Sequence, residues 1–218
     1  MGGVSVQLYS YYRSSAAYRV RIALNLKGVG AEIVPVHLRR GEQRGDAYRA
    51  LNPAGLVPWF IDGTVALAQS LAIIEYLEDA HPMPALLPAG LANRAYAREI
   101  AHIIACDIHP IGNLRVLDKL STDYGATPDA RAAWNRHWMA AGFGAIETRL
   151  RQTAGMFAVG DAPSLADICI VPQLYNARRF GLDLAPYPRL VAVDAAARAL
   201  PAFIAAAPQN QPDFEEGP

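Results

Sequence analysis

A strand, a helix and a second strand follow one another near the start of the chain, and this order constrains the fold most. The first predicted strand covers residues 4–9, and a polar turn of Arg13, Ser14 and Ser15 leads into a helix that ends at Lys27-Gly28. Residues 31–37 then read as a second strand. Two strands joined in this way form a right-handed βαβ unit. We therefore expect an α/β domain at the amino terminus.

The helix of this unit begins directly after a strand, with Ser14 or Ser15 as its predicted N-cap. Such a helix directs unpaired backbone N–H groups and the positive end of its dipole toward the edge of the sheet. That position suits an anion or a thiolate. The alternative is that the two serines only cap the helix and that Arg13 is a solvated turn residue.

The next elements complete a small mixed sheet. Residues 39–52 are polar and predict a loop with a short helix, and Asn52-Pro53-Ala54-Gly55 then breaks the chain. Residues 57–61 and 65–68 form a predicted β-hairpin around Asp62-Gly63. A helix that opens at Gln69-Ser70 continues to His81-Pro82. The order β-α-β-(α)-β-β-α predicts four strands with helices packed on them, in a domain of residues 1–83.

A linker at residues 84–90 is rich in Pro, Ala and Leu, and strand signals nearly vanish after it. Residues 91–218 therefore predict an all-α domain. Its helical patterns cover residues 91–120, with an interruption or kink near Pro110, and residues 128–152. Ser164 and Asp167 have the spacing of a capping box ahead of an apolar helix.

Composition excludes several classes of protein. Twenty basic residues balance twenty acidic ones, so charge gives no reason to expect nucleic acid or an anionic membrane as a partner. No apolar run approaches the ~18 residues of a membrane span, and no secretion signal is recognisable. Cys106 and Cys169 lie in apolar, helix-like surroundings without CxxC spacing, which predicts buried, reduced thiols in a cytoplasmic protein; the alternative is a disulfide between them. His102, Cys106 and His109 have a spacing that zinc could use, but the helical pattern explains them without a metal.

Five segments of the chain resemble sequence motifs of a known protein family. Residues 14–24, SSAAYRVRIAL, are similar to a zeta-class motif like SSCxWRVRIAL, and Val57-Pro58 after Asn52-Pro53 is similar to a loop that carries a cis-proline. The others are residues 69–77, 106–110 and 177–188. Together they resemble the glutathione transferases over essentially the whole chain. The chain departs from the family pattern at Ala16, Tyr18 and Leu56, where the family has cysteine, tryptophan and often glutamine.

This resemblance implies the glutathione transferase architecture, a thioredoxin-like domain followed by an all-helical domain. It also implies a cytoplasmic homodimer that uses glutathione to isomerise maleylacetoacetate or maleylpyruvate to the fumaryl isomer during breakdown of aromatic compounds. The substrate is then a small dicarboxylate. Because Ala16 stands where the motif has cysteine, any role for a protein thiol is in doubt, although the reaction needs only the glutathione sulfur.

The resemblance also assigns roles to residues. Ser14 and Ser15 would stabilise the thiolate, and Arg13 and Arg179 would bind the two carboxylates of the substrate, with Arg178 as the alternative to Arg179. The expected catalytic residues are thus Arg13, Ser14, Ser15 and Arg179. The expected glutathione contacts are Ser14, Ser15, Gln43, Val57, Pro58, Gln69, Ser70, His109, Asn113 and Arg115, and His109 and Asn113 would also reach the substrate.

Two other functions remain open from the sequence. A detoxifying transferase would use the same thiolate to conjugate glutathione to an electrophile and keep the product. A fold retained as a non-catalytic interaction module would not need Ser14, Pro58, Gln69 and Ser70 together. Arg13 and Arg179, and whether glutathione is recovered unchanged, distinguish the isomerase from the transferase.

Overall fold

The computed structural model describes residues 6–216, so Val4 and Ser5 of the first predicted strand lie outside the described residues. A four-stranded sheet of order β2-β1-β3-β4 forms its amino-terminal part. The strands are β1 (Val6–Ser10), β2 (Ala31–Pro35), β3 (Trp59–Asp62) and β4 (Val65–Ala68). β1 is parallel to β2 and antiparallel to β3, and β4 is antiparallel to β3. The mixed sheet predicted from the sequence is confirmed.

Helix α1 (Ser15–Lys27) has the predicted start and end. Ser14 is the N-cap, and its hydroxyl oxygen accepts a hydrogen bond from the N–H of Ala17 at 3.2 Å. Gly28 ends the helix in the left-handed conformation at φ +67°, which only glycine adopts without a steric cost. The helix packs against α3 (Ser70–Ala80), and its side chains Val20 and Ile22 are fully buried.

The polar segment between β2 and β3 folds into two 3₁₀ turns, Leu38–Arg40 and Glu42–Arg44, and helix α2 (Asp46–Leu51). A short helix within a loop was expected there. Asn52 closes α2, and its side chain then turns the chain by donating to Leu56 O at 2.7 Å.

The second unit, residues 86–199, is helical. Its α-helices are α4 (Leu91–His102), α5 (Leu114–Tyr124), α6 (Pro128–Thr153), α7 (Leu165–Arg179) and α8 (Pro188–Arg198), and a π-helical segment, Ile103–Ile108, continues α4. Helix α7 is almost entirely buried and contacts α4 and α8. Its apolar surface is therefore the centre of the core of this unit.

The predicted capping box at the start of α7 is present. Asp167 accepts hydrogen bonds from Ser164 N at 2.8 Å and Ser164 Oγ at 3.0 Å, and its other oxygen accepts from Ala158 N at 2.9 Å. Its carboxyl is fully buried, and burial raises the pKa of Asp167 to about 6, against the lowering effect of these donors. Three donors on two oxygens offset part of the loss of water around the acid, and burial remains the larger effect.

The carboxyl-terminal residues differ from the sequence prediction, which placed everything after residue 90 in the helical domain. Residues 200–216, including α9 (Pro201–Ala206), form one compact unit with residues 6–85. Helix α9 packs on α1, where Arg21 Nε donates to Ala206 O at 3.0 Å and Asn25 Nδ2 donates to Ala202 O at 2.9 Å. Helix α8 thus ends at Arg198, and the described chain from Leu200 onward belongs to the first unit, where α9 packs on α1.

The two cysteines also differ from one another. Both are free thiols, but only Cys169 is buried, whereas Cys106 is exposed on the π-helical segment. The expectation of two buried thiols was therefore wrong for Cys106, whose helix turns that residue outward.

No helix in residues 6–216 is long and apolar enough to cross a membrane. In the same residues no three His, Cys, Asp or Glu side chains are grouped to hold a metal ion.

Candidate active site

One edge of the sheet brings together most of the residues that the sequence singled out in the first unit. Tyr9 of β1 pairs with Trp59 of β3, which pairs with Ala68 of β4. Ser14 follows the end of β1, Val57 precedes the start of β3, and Gln69 follows the end of β4. Because these three strand ends lie in one row, the three segments emerge at the same edge of the sheet.

The hydroxyl of Ser14 has a defined hydrogen-bonding role. Its oxygen accepts from Ala17 N–H, and within residues 6–216 its proton is donated to no acceptor. A hydroxyl carries one proton and two lone pairs, so Ser14 can still donate to an anion. Ser15 is 4% exposed and is the first residue of α1, where backbone N–H groups and the helix dipole favour negative charge. The start of α1 can therefore stabilise a thiolate.

The segment before β3 carries a cis peptide bond between Val57 and Pro58, as expected. Leu56 O, just before it, accepts from Tyr48 Oη and from Asn52 Nδ2, both at 2.7 Å, which holds the loop in place. The N–H and C=O of Val57 have no hydrogen-bond partner in the part of the chain that is described. An extended peptide could pair with them as an added strand.

Gln69 and Ser70 stand at the start of α3. Gln69 is the only non-glycine residue of the described chain with positive φ, at φ +71° and ψ 112°. Such strained backbone persists where the surrounding structure enforces it, and it clusters at binding sites. Ser70 is 5% exposed, and its hydroxyl oxygen accepts from Arg19 Nη1 at 2.8 Å.

Two other residues of the first unit that the sequence predicts in the site, Gln43 and Arg13, are buried and half-buried, respectively. Gln43 is 5% exposed, its amide nitrogen donates to Leu38 O at 3.3 Å, and its buried Oε1 has no partner among residues 6–216. Arg13 is half-buried, and its guanidinium carbon lies 5.5 Å from the centroid of the Tyr12 ring. Arg13 is thus held beside Ser14 by a cation–π contact.

In the helical unit, His109 and Asn113 lie on either side of a break in the helix. The two residues do not share a face of one continuous helix, because the π-helical segment ends at Ile108 and α5 begins only at Leu114. Pro110 lacks the N–H that would continue the helix. Asn113 instead caps α5, where its Oδ1 accepts from Arg115 N at 3.2 Å, and Arg115 is exposed.

The two neighbouring arginines at the end of α7 have different surroundings. Arg178 Nη2 donates to Asp194 Oδ2 at 2.5 Å, and the Asp194 side chain is completely buried. Arg179 is exposed, with its guanidinium carbon 4.7 Å from the centroid of the Phe180 ring. Arg136 Nη1 donates to Phe180 O at 3.1 Å. Arg178 therefore has a structural partner within the helical unit.

Sequence reasoning assigned no role to a group of aromatic and charged residues at the same sheet edge. Tyr11 and Tyr12 pack edge-to-face, and the Tyr11 ring also contacts His37, two residues after the end of β2. The aromatic run YSYYR ahead of Ser14 is the signal that could have identified this group. Burial raises the pKa of Tyr11 to about 12, so its hydroxyl stays protonated at neutral pH and cannot act as a base.

The carboxyl-terminal residues complete this group. Asp213 Oδ2 accepts from Tyr12 N at 2.9 Å, and Glu215 contacts both His37 Nε2 at 3.1 Å and Arg40 Nη2 at 2.6 Å. No pattern in the printed sequence connects residues 213–215 with a turn about two hundred positions earlier.

Comparison with known proteins identifies the family. Residues 8–85 match the model of the glutathione S-transferase N-terminal domain, and residues 128–193 match that of the C-terminal domain. The chain is 51% identical over 212 residues to a probable maleylacetoacetate isomerase of Vibrio cholerae, an alignment that covers 96% of this chain and 99% of the relative.

Two solved structures extend the comparison. The holo structure of a maleylpyruvate isomerase, described as a bacterial zeta-class glutathione S-transferase, superposes with a TM-score of 0.94 at 49% identity and covers 96% of this chain and 100% of its own. A maleylacetoacetate isomerase of Methylobacterium extorquens, solved with malonate and glutathione, has a TM-score of 0.92 at 40% identity and covers 96% and 99%. The chain belongs to the glutathione S-transferase family, and the resemblance to its zeta class is confirmed.

Proposed function

We propose that this protein is a glutathione-dependent cis–trans isomerase of maleyl diacids, acting on maleylacetoacetate or maleylpyruvate in the breakdown of aromatic compounds. The observation that carries the proposal is the Ser14 hydroxyl, which caps α1 while keeping its proton available at the sheet edge shared with Val57 and Gln69. The names of the similar proteins support the same activity.

The donors at this edge fit glutathione. The open N–H and C=O of Val57 suit its cysteinyl peptide, and Gln69 and Ser70 suit its γ-glutamyl end. Gln43 is the proposed contact of the glycyl end. When bound, glutathione supplies a thiolate that adds reversibly to the maleyl double bond, so that the molecule can rotate about a single bond before the thiolate leaves.

The contribution of the protein is to keep that sulfur ionised. A thiol pKa of about 8.5 must fall to about 7, which requires roughly 2 kcal/mol of preferential stabilisation of the anion. The start of a helix contributes about 0.3 to 1 kcal/mol. One charge-assisted hydrogen bond from Ser14 or from the N–H of Ser15 contributes about 1.5 to 3 kcal/mol. The serine pair and the helix dipole therefore suffice without a general base.

A diacid substrate requires cationic groups, and the fork of arginine matches a carboxylate better than the point charge of lysine. In the first unit, Arg13 beside Ser14 is the proposed ligand of one carboxylate. In the helical unit, Arg179 is the proposed ligand of another, because Arg178 is paired with Asp194. His109, Asn113 and Arg115 remain proposed contacts of glutathione, and the first two also of the substrate. The malonate and glutathione bound by the Methylobacterium relative support a small dicarboxylate as substrate.

The cellular setting is also proposed. The two free thiols and the use of glutathione support a cytoplasmic location. Membership of the family supports a homodimer, so light scattering of the purified protein should give the mass of two chains of 23.5 kDa each, and the mass of a single chain would contradict the dimer.

An absorbance assay with maleylacetoacetate and maleylpyruvate, each with and without glutathione, tests the activity and identifies the preferred substrate. We expect isomerisation only when glutathione is present. The transferase alternative shares the thiolate site, and it predicts instead a stable conjugate with an aryl halide and no isomerisation. A protein that does not bind immobilised glutathione would support the non-catalytic module.

A further inference from the structure

A buried arginine of α1 contacts the first residue of α3. Arg19 is 1% exposed, and its Nη1 donates to Ser70 Oγ at 2.8 Å. Both residues belong to the first unit, where α1 packs against α3. Because water does not reach this contact, no solvent molecule competes for the serine oxygen.

The chemistry of the guanidinium group fixes the direction of this hydrogen bond. Arginine carries only donors, so the oxygen of Ser70 must accept. One lone pair is then committed, and the hydroxyl proton must point away from Arg19. Within residues 6–216 the hydroxyl of Ser70 donates to no acceptor. Ser70 therefore offers its O–H donor, directed away from Arg19, to a ligand at the start of α3.

A second feature, the strained backbone of Gln69, lies directly beside Ser70. Gln69, immediately before Ser70, has φ +71°, in the left-handed region that favours glycine. A residue other than glycine keeps this backbone conformation only where the surrounding structure holds it there. The strained residue and the oriented hydroxyl are thus adjacent at the first turn of an 11-residue helix.

We propose that Arg19 is a positioning residue for glutathione binding: it orients the Ser70 hydroxyl toward the γ-glutamyl α-carboxylate and places a fixed positive charge behind it. The inference rests on the proposed function and adds the way in which the α-carboxylate is selected. A ligand that lacks this carboxylate gains no affinity from Arg19 and Ser70. Arg19 therefore determines which ligand is preferred as well as how tightly glutathione binds.

The test measures Kd by isothermal titration calorimetry for two ligands, glutathione and γ-aminobutyryl-cysteinylglycine, which is glutathione without the α-carboxylate. In Arg19→Met, glutathione binding weakens by about 10-fold or more, the loss of a hydrogen bond to a charged group. Binding of the analogue stays within about twofold of the wild type, because the lost bond serves only the carboxylate. Ser70→Ala gives the same pattern, and the double variant binds glutathione no more weakly than the weaker single variant.

Arg21→Met is the matched control. Arg21 lies two residues further along α1 and is 3% exposed, but it donates to Ser10, Tyr11, Tyr12 and Ala206. Its loss should change the Kd of both ligands by the same factor. An equal loss for both ligands in Arg19→Met, or losses that add in the double variant, would overturn the inference.

Arg19→Lys keeps a buried cation but loses the planar fork, so it should recover part of the preference for glutathione over the analogue. If Arg19→Met does not fold, Ser70→Ala and Arg19→Lys decide the question, because both must reduce that preference relative to the wild type. Full wild-type preference in both would refute the inference.

A wild-type protein that binds neither ligand contradicts the proposed function itself. A wild type that binds glutathione and an Arg19→Met variant with unchanged preference contradict only the role of Arg19.

Discussion

Ser14 performs two tasks with one hydroxyl group: its oxygen caps α1 through Ala17, and its proton remains available to an anion. Ala16 stands where the zeta-class motif has cysteine, so the proposed mechanism assigns the stabilisation of the glutathione sulfur to Ser14 and Ser15 and not to a protein thiol. Among the proposed site residues, Ser14 is therefore the one whose loss should change the chemistry most directly.

In Ser14→Ala, the pKa of enzyme-bound glutathione should rise by about one to two units, since a charge-assisted hydrogen bond of about 1.5 to 3 kcal/mol is lost. The ultraviolet absorbance of the thiolate, followed from pH 5 to 10, measures this pKa. Ser14→Thr keeps the hydroxyl and should stay close to the wild type. An unchanged pKa in Ser14→Ala would contradict the assignment.

Arg178 and Arg179 differ in what their removal should affect. Arg179→Ala should raise the KM for the maleyl substrate by about 10-fold or more, since a bond to a charged group is lost, and leave the free energy of unfolding nearly unchanged. Arg178→Ala should leave KM unchanged and reduce the free energy of unfolding by about 1 to 3 kcal/mol, because buried Asp194 loses its nearest partner. Steady-state kinetics and urea unfolding of both variants check this, and the reverse pattern would show that the roles are exchanged.

At the scale of elements, the capping box of α7 makes stability depend on pH. The pKa of Asp167 is about 6 in the folded protein and about 4 in an unfolded chain, so the folded state holds this proton more tightly between those values. The stability that this group contributes is fully present below about pH 4 and is lost as the pH rises through about 6.

The Asp167→Asn side chain cannot titrate. Its amide NH2 replaces one carboxylate oxygen, so a donor faces the N–H of Ala158 or Ser164 where the carboxylate accepted a hydrogen bond. We expect the variant to be less stable than the wild type by about 1 to 3 kcal/mol, with a difference that shrinks between pH 4 and 6. Urea unfolding of both proteins across this range measures the difference. A constant difference would mean that Asp167 does not titrate there.

Local signals explain why some elements could be predicted and others could not. The Ser14 cap, the Asp62-Gly63 turn and the Ser164–Asp167 box each involve neighbouring residues, and the structure contains all three. The break between α4 and α5 was predicted near Pro110, but the π-helical segment before it was not, since no residue type specifies i→i+5 hydrogen bonds.

At the scale of the whole molecule, the sequence predicted the two kinds of domain, and the structure revised where the chain divides. Residues 200–216 belong with the amino-terminal unit through contacts of α9 with α1 and of Asp213 with Tyr12. Such contacts join residues far apart in the chain, and a periodic pattern carries no information about them. Arg19 with Ser70 is a further example, because each residue alone reads as an ordinary helix position.

The carboxyl-terminal contact gives a prediction of its own. Asp213→Ala removes the acceptor of Tyr12 N–H and should reduce the free energy of unfolding by about 1 kcal/mol. Asp213→Asn keeps an oxygen at that position and should remain within about 0.5 kcal/mol of the wild type. Urea unfolding of the two variants compares them. Equal stability of both variants would show that this contact does not hold residues 213–215 to the first unit.

The central claim is that glutathione is used and returned, not consumed. The most direct measurement is the number of maleyl molecules isomerised per glutathione when substrate is in large excess, with free thiol titrated before and after the reaction. We expect many turnovers per glutathione, a fumaryl product and an unchanged amount of thiol. A reaction that stops after one turnover per glutathione, with thiol lost to a conjugate, would contradict it.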